Sequence, residues 1–197
     1  MVPSAFKNLT YSVMVAAVFF MLWGMFTPFF YLTQYATVNG MGSNLASYVL
    51  SILNAASVFG RVLPGLAADK FGRFNMLCLS GVSTGILLLC WISVKSNAAI
   101  IVFAALYGFC SGAIVSLMSP CIAHTSPTPR HIGTYLGMAM TAVGLAGLTG
   151  TPITGAMIDR YQSYTQAAIF SGVVVLFGSA LAFVAKLTLN KNPLCQI

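Results

Sequence analysis

Both acidic side chains of this chain, Asp69 and Asp159, sit in stretches that resemble one another, and the first sits among basic residues. The stretch "GRVLPGLAADKFGRF", Gly60 to Phe74, carries Arg61, Asp69, Lys70 and Arg73 within otherwise apolar surroundings. Arg61 precedes Asp69 by eight residues, about 12 Å along a helix. A guanidinium offers a planar fork of N–H donors that matches a carboxylate, so Arg61 reads as an anion-binding group. Two other readings stand beside it: a side chain that snorkels outward, or a structural pair with Asp69. Asn54, Ser57 and Arg61 fall at i, i+3 and i+7 and share a helix face, while Ile52, Phe59 and Val62 fall in opposite register. Thr27, Tyr31 and Gln34 repeat the spacing. With Phe30 they either line a cavity or bridge neighbouring helices.

The elements that must hold these residues follow from composition. The 197 residues are 58% hydrophobic and 6% charged, with mean hydropathy +0.90. Soluble domains carry about 25% charged residues. Windows of roughly 20 apolar residues are what a bilayer-spanning helix needs. Six such windows, at 11–33, 45–68, 74–94, 98–122, 132–157 and 165–187, predict an all-α membrane protein. Residues 1–10 then form an N-terminal cytoplasmic segment, 11–187 the transmembrane domain and 188–197 a cytoplasmic tail. Six spans put both termini on one side. That side holds Lys7, Lys70, Arg73, Arg130, Lys186 and Lys191, against Lys95 and Arg160 opposite, so the termini are expected in the cytoplasm. Arg61 then lies at membrane depth, where an arginine costs about 2.5–3.5 kcal/mol and should face protein or water. The net charge of +7 is accounted for by this topology and not by nucleic acid.

"GRVLPGLAADKF" from Gly60 and "GTPITGAMIDRY" from Gly150 form an internal repeat. Gly60, Gly65, Asp69, Lys70 and Phe71 align with Gly150, Gly155, Asp159, Arg160 and Tyr161 at one offset of ninety residues. Three spans separate the copies, so they face opposite sides of the membrane. The pattern is that of a 3+3 inverted repeat, as in halves of secondary transporters. Gly81-x-x-x-Gly85, Gly108-x-x-x-Gly112 and Gly133-x-x-x-Gly137 are read as sites of close helix approach. The five cysteines have no C-x-x-C spacing, and no Ser/His/Asp or metal-ligand cluster occurs. No enzyme activity, metal or cofactor is expected.

The run Gly60–Arg73 resembles the loop signature of the major facilitator superfamily, G-x-x-x-D-[RK]-x-G-[RK], with Gly65, Asp69, Lys70, Gly72 and Arg73 in register. "TPFFYLTQYA" (Thr27–Ala36) and the "GR-x-x-PG" segment (Gly60–Gly65) are similar to the fungal monocarboxylate-transporter-like branch. The resemblance spans essentially the whole chain as helices 7 to 12 of a twelve-helix protein, which is half of a major facilitator fold. It implies transport of a small organic anion, such as a monocarboxylate or related metabolite, by alternating access, in the plasma membrane. It assigns the anion to Arg61, with Asn54, Ser57, Thr27 and Tyr31 as companions. Ser57 stands where that branch carries an aspartate, which weighs against its proton coupling. Gly65, Asp69, Lys70, Gly72 and Arg73 become a conformational latch against the opposite half. That half would be a further six-helix unit or a second copy of this chain. The alternative is a truncated, non-transporting remnant that binds a partner.

Overall fold

The computed structural model describes residues 8–126 and 129–189. Most of the expected N-terminal segment and tail, with Lys7 and Lys191, lies outside them. The described residues form seven α-helices: α1 (Leu9–Met25), α2 (Thr27–Val38), α3 (Ser43–Phe71), α4 (Arg73–Cys90), α5 (Asn97–His124), α6 (Ile132–Tyr161) and α7 (Tyr164–Leu189). Single 3₁₀ turns, Trp91–Ser93 and Pro129–His131, extend α4 and precede α6. Together they make six helical units long and apolar enough to cross a membrane. Five of the expected windows nest inside an observed unit, and the third overruns its unit by one residue at Val94. The helices run longer because polar ends continue past the hydrocarbon: α2 carries on through Gln34, Tyr35 and Thr37.

The first unit is broken at Phe26. Pro28 enters the first turn of α2, where its missing N–H costs nothing, and it cannot continue α1. The Met25 carbonyl at the break accepts a hydrogen bond from the fully buried Tyr107 hydroxyl at 2.5 Å. Pro64, Pro120 and Pro152 instead lie within continuous helices. Asn8, part of the Asn8-Leu9-Thr10 sequon, turns out to cap α1: its Oδ1 accepts from the Thr10 amide at 3.1 Å.

The helices pack as the repeat requires. Exchanging α1/α2 with α5, α3 with α6 and α4 with α7 maps the packing onto itself. Helix α3 lies along α5 as α6 lies along α1; α4 meets α5 as α7 meets α1; and α4 and α7 meet each other. The ends obey the same offset. Helix α3 stops at Phe71 and α6 at Tyr161, followed by Gly72 with φ 87° and Gln162 with φ 49°. The fold is six spans in a 3+3 inverted repeat.

With lipid outside, burial of apolar surface drives little association, and close packing of small residues takes its place. The seam between α3 and α5 shows this. A Cβ built at Gly60 would fall on the Phe109 carbonyl, one at Gly108 on the Leu53 carbonyl, and one at Gly112 on the Ser57 carbonyl. Gly81 and Gly85 meet Ser179 and Leu176 of α7 in the same way. Gly133 and Gly137 do not: no described residue lies within 4 Å of a Cβ at either. Their spacing matches the packing glycines, but no described residue packs against their side of α6.

Gly72 joins α3 to α4. Its amide donates to the Ala68 carbonyl at 2.9 Å, closing α3, while its own carbonyl accepts from Met76 at 3.1 Å, opening α4. With φ 87° and ψ 135° this hinge occupies backbone space that is costly for any residue with a Cβ. Gly72→Ala is therefore expected to destabilise the chain by about 1–3 kcal/mol. Gly65→Ala, in open space on helical backbone, should not. Thermal unfolding of the two variants in detergent micelles separates them.

Candidate functional site

Helix α3 carries most of the expected site. Its buried stripe is Ala46, Val49, Leu53, Ser57, Gly60, Pro64 and Ala68, a single seam facing its neighbours. Arg61 and Asn54 flank the seam and are exposed. At 29 residues α3 is about 43 Å long, and Arg61 lies about 15 Å from its Phe71 end and about 27 Å from its Ser43 end. A hydrocarbon layer of about 30 Å centred on the helix therefore encloses it. Arg61 makes no hydrogen bond or ion pair with any described residue.

The face is narrower than its spacing predicts. Ser57 belongs to the seam: its backbone meets Gly112, and its hydroxyl donates to the Asn54 carbonyl at 2.7 Å. It is 4% exposed and presents no group beside Arg61. The one-turn shift from i+3 to i+7 carries a residue across the edge of a contact stripe, because the stripe itself follows that period. Asn54 donates back to the Leu50 carbonyl at 3.0 Å within its own helix. Phe59 and Val62 of the opposite register are also exposed, so α3 leaves both flanks uncovered.

The first unit resolves its alternatives residue by residue. Thr27 is 1% exposed, and its hydroxyl lies 2.7 Å from that of Ser171 on α7: a bridge between helices, worth about 0.6 kcal/mol in a membrane. Tyr31 reaches α6, with its hydroxyl donating to the Thr151 carbonyl at 3.4 Å and lying over Gly155. Phe30 and Gln34 are exposed.

At the end of α3, Asp69 holds Arg73 at 3.7 Å across the Gly72 reversal, with both side chains largely exposed. Such a pair contributes at most about 1 kcal/mol. It also removes the reading of Arg61 as a structural partner of Asp69. Lys70 is exposed, and Gly65 stands in open space. The sequence contains no other side-chain acid except Asp159, at the opposite end of the bundle. Arg61 is thus a cation at membrane depth with no counter-ion among the described residues.

Lys186, counted from sequence among the cations on the terminus side, is buried within the bundle. It is 1% exposed, and its ammonium donates to Asn75 Oδ1 at 2.5 Å, tying α7 to α4. Its position near the end of a strongly apolar helix reads equally as a loop-side lysine, and the contact with Asn75, 111 residues away, is not visible in the sequence. No group of three or more His, Cys, Asp or Glu side chains able to hold a metal occurs among the described residues.

Comparison with known proteins agrees with this architecture. The sequence model of the Major Facilitator Superfamily matches residues 12–194. The chain is 47% identical over 183 residues to the aspyridones efflux protein apdF of Emericella nidulans, covering 93% of this chain and 38% of that protein. It is 41% identical to the agnestins efflux protein AgnL12 of Paecilomyces divaricatus, covering 98% and 44%. It spans about two fifths of the length of these curated relatives. Among solved structures, the fucose:proton symporter FucP of E. coli superposes with a TM-score of 0.79 over 94% of this chain and 46% of that one, at 15% identity, a likeness of fold alone. Six membrane-crossing units in an inverted repeat, ending α3 with the D-K-F-G-R reversal, and a family match over nearly the whole sequence make this multi-pass membrane chain a member of the Major Facilitator Superfamily, whose proteins are transporters and not enzymes.

Proposed function

We propose that the chain is the second half of a secondary transporter that exports small organic anions by alternating access. The observation that carries this reading is Arg61: a guanidinium at membrane depth, exposed and without a counter-ion among the described residues. Burying an unpaired charge costs several kcal/mol, so the face needs water, a partner half or an anionic substrate. A carboxylate entering between two halves supplies the missing charge and the geometry that the arginine fork prefers. The efflux roles in the names of the two fungal relatives favour outward transport of an acidic metabolite. The monocarboxylate-like affinity implied by "GR-x-x-PG" gives the same substrate charge.

The open faces of α3 and α6 are where a first half would dock, whether a separate six-helix unit or a second copy. Asp69, Lys70 and Arg73, with Gly65 and Gly72 shaping the turn, act as a latch: the exposed Asp69–Arg73 pair is weak enough to exchange partners as the halves rock. The termini are cytoplasmic and the membrane is the plasma membrane. In this arrangement Asn54 and Tyr31 border the path, while Thr27 and Ser57 hold the helices that form it.

Co-expression of this chain with a half comprising the first six helices of a relative, followed by reconstitution into proteoliposomes, tests the reading. Accumulation of a labelled aromatic or aliphatic carboxylate, driven by counterflow, is the expected result. Absence of flux for every carboxylate tried, with both halves present and folded, would leave the partner-binding remnant as the better account.

A further inference from the structure

The end of the bundle opposite the termini contains a cavity of about 230 Å³ far from Arg61. The loops joining α2 to α3, α4 to α5 and α6 to α7 converge there. Tyr35, Trp91 and Tyr164 line it, together with Asn39, Lys95 and Gln162. The three rings form an edge-to-face set, with Tyr35–Trp91 centroids 5.4 Å apart and Tyr35–Tyr164 centroids 5.2 Å apart. Arg61 lies eighteen residues into α3, so about 27 Å of helix separates the two places.

Aromatic residues at a membrane boundary are usually belt residues that lie against lipid headgroups with their polar tips in water. Trp91 does not fit that role. It is 1% exposed, and its indole N–H is buried with no acceptor among the described residues. The walls are fixed beforehand. The Tyr35 hydroxyl donates to the Val94 carbonyl at 2.6 Å, Gln162 donates through Nε2 to the Asp159 carbonyl at 2.7 Å, and the Ser163 hydroxyl accepts from the Thr165 amide at 3.2 Å at the start of α7. Lys95 is exposed at the rim and supplies a cation.

We infer that this cavity is a binding site for a small aromatic carboxylate, separate from the Arg61 face. The aromatic walls accept one ring edge-on, and Lys95 faces its carboxylate. At about 230 Å³ it is smaller than pockets that hold drug-sized molecules, which begin near 300 Å³, so it takes a single ring. A neutral analogue keeps the ring contacts and loses the charge.

The chain has two tryptophans, Trp23 and Trp91. In a Trp23→Phe background, indole fluorescence therefore reports on Trp91 alone. Purified chain in nanodiscs is titrated with 4-hydroxybenzoate and, separately, with its uncharged amide. Saturable quenching by the acid is expected. Lys95→Ala should weaken the acid about three- to fivefold and leave the amide unchanged, as suits an exposed charge pair. Quenching that is linear and equal to that of free N-acetyltryptophanamide would overturn the inference. So would equal weakening of both compounds by Lys95→Ala. A tenfold or greater loss in the Arg61→Gln chain would place the probe at Arg61 instead and overturn it as well.

Discussion

Gly108→Leu is expected to abolish recovery of folded, monodisperse chain, whereas Gly137→Leu should purify and melt like the parent. The two positions look alike in sequence, each within a glycine pair four residues apart on an apolar helix. They differ in what stands opposite. At Gly108 the new Cβ would coincide with the Leu53 carbonyl oxygen, a backbone atom within continuous α3 that has no rotamer to yield. The seam is also reciprocal, since Gly60 on α3 admits the Phe109 carbonyl on α5. Relief at one position requires the two helices to part, which forfeits the contacts of Leu53, Ser57, Gly60 and Gly112 together. Overpacking of a yielding core costs about 1–3 kcal/mol, and occasionally more; an unyielding backbone seam belongs at or beyond the upper end. Because the chain's stability depends on such packing and not on water-driven burial, the loss should be total. Size-exclusion profile and thermal midpoint in detergent give the comparison. Normal folding of Gly108→Leu would show that α3 and α5 are not held at this distance.

The contrast between Gly108 and Gly137 marks how far the sequence can be read. Hydropathy reveals six spans because a bilayer imposes one length and one polarity on every crossing helix, whatever its neighbours. The ninety-residue offset reveals the inverted repeat because Gly72 and Gln162 must both turn the chain at the same place. Helix facing is different. The spacing of Asn54, Ser57 and Arg61 is that of a single face, yet Ser57 is buried against Gly112 while the other two are exposed. About 40–60° of helix rotation decides between them, and the position of α5 fixes that rotation. The same holds for Thr27, whose polar spacing fits both a cavity and a bridge until Ser171 is found 2.7 Å away. Lys186 is the extreme case: charge counting assigns it a side of the membrane but says nothing of its burial, which comes with its contact to Asn75 on α4. The proposal for Arg61 rests instead on energetics that are one-sided. Wherever neighbours stand, a cation that deep must be compensated.

Substitution of that arginine carries the largest functional expectation. In the reconstituted two-half system, Arg61→Gln should reduce carboxylate flux roughly 10- to 150-fold at substrate levels well below the parent's half-saturation, with folding intact. Glutamine keeps hydrogen-bonding capacity and most of the length, so what is removed is charge. A hydrogen bond to a charged group contributes about 1.5–3 kcal/mol, which corresponds to roughly a 10- to 150-fold loss of affinity. Arg61→Lys should fall between the two, since an ammonium retains the charge but not the paired donors. The folded state has little reason to suffer: Arg61 bonds to no described residue and lies outside the buried stripe of α3. Removing an unpaired cation from membrane depth should even ease insertion, by about 2.5–3.5 kcal/mol. Arg61→Leu therefore discriminates sharply. If the arginine binds substrate, the leucine chain folds at least as well as the parent and transports nothing. If it serves only to meet an acid on the opposite half, the leucine chain leaves that acid unpaired, so assembly of the halves fails along with flux. Flux measured beside co-purification of the halves tells these outcomes apart, and normal carboxylate flux through Arg61→Leu would remove Arg61 from the transport path.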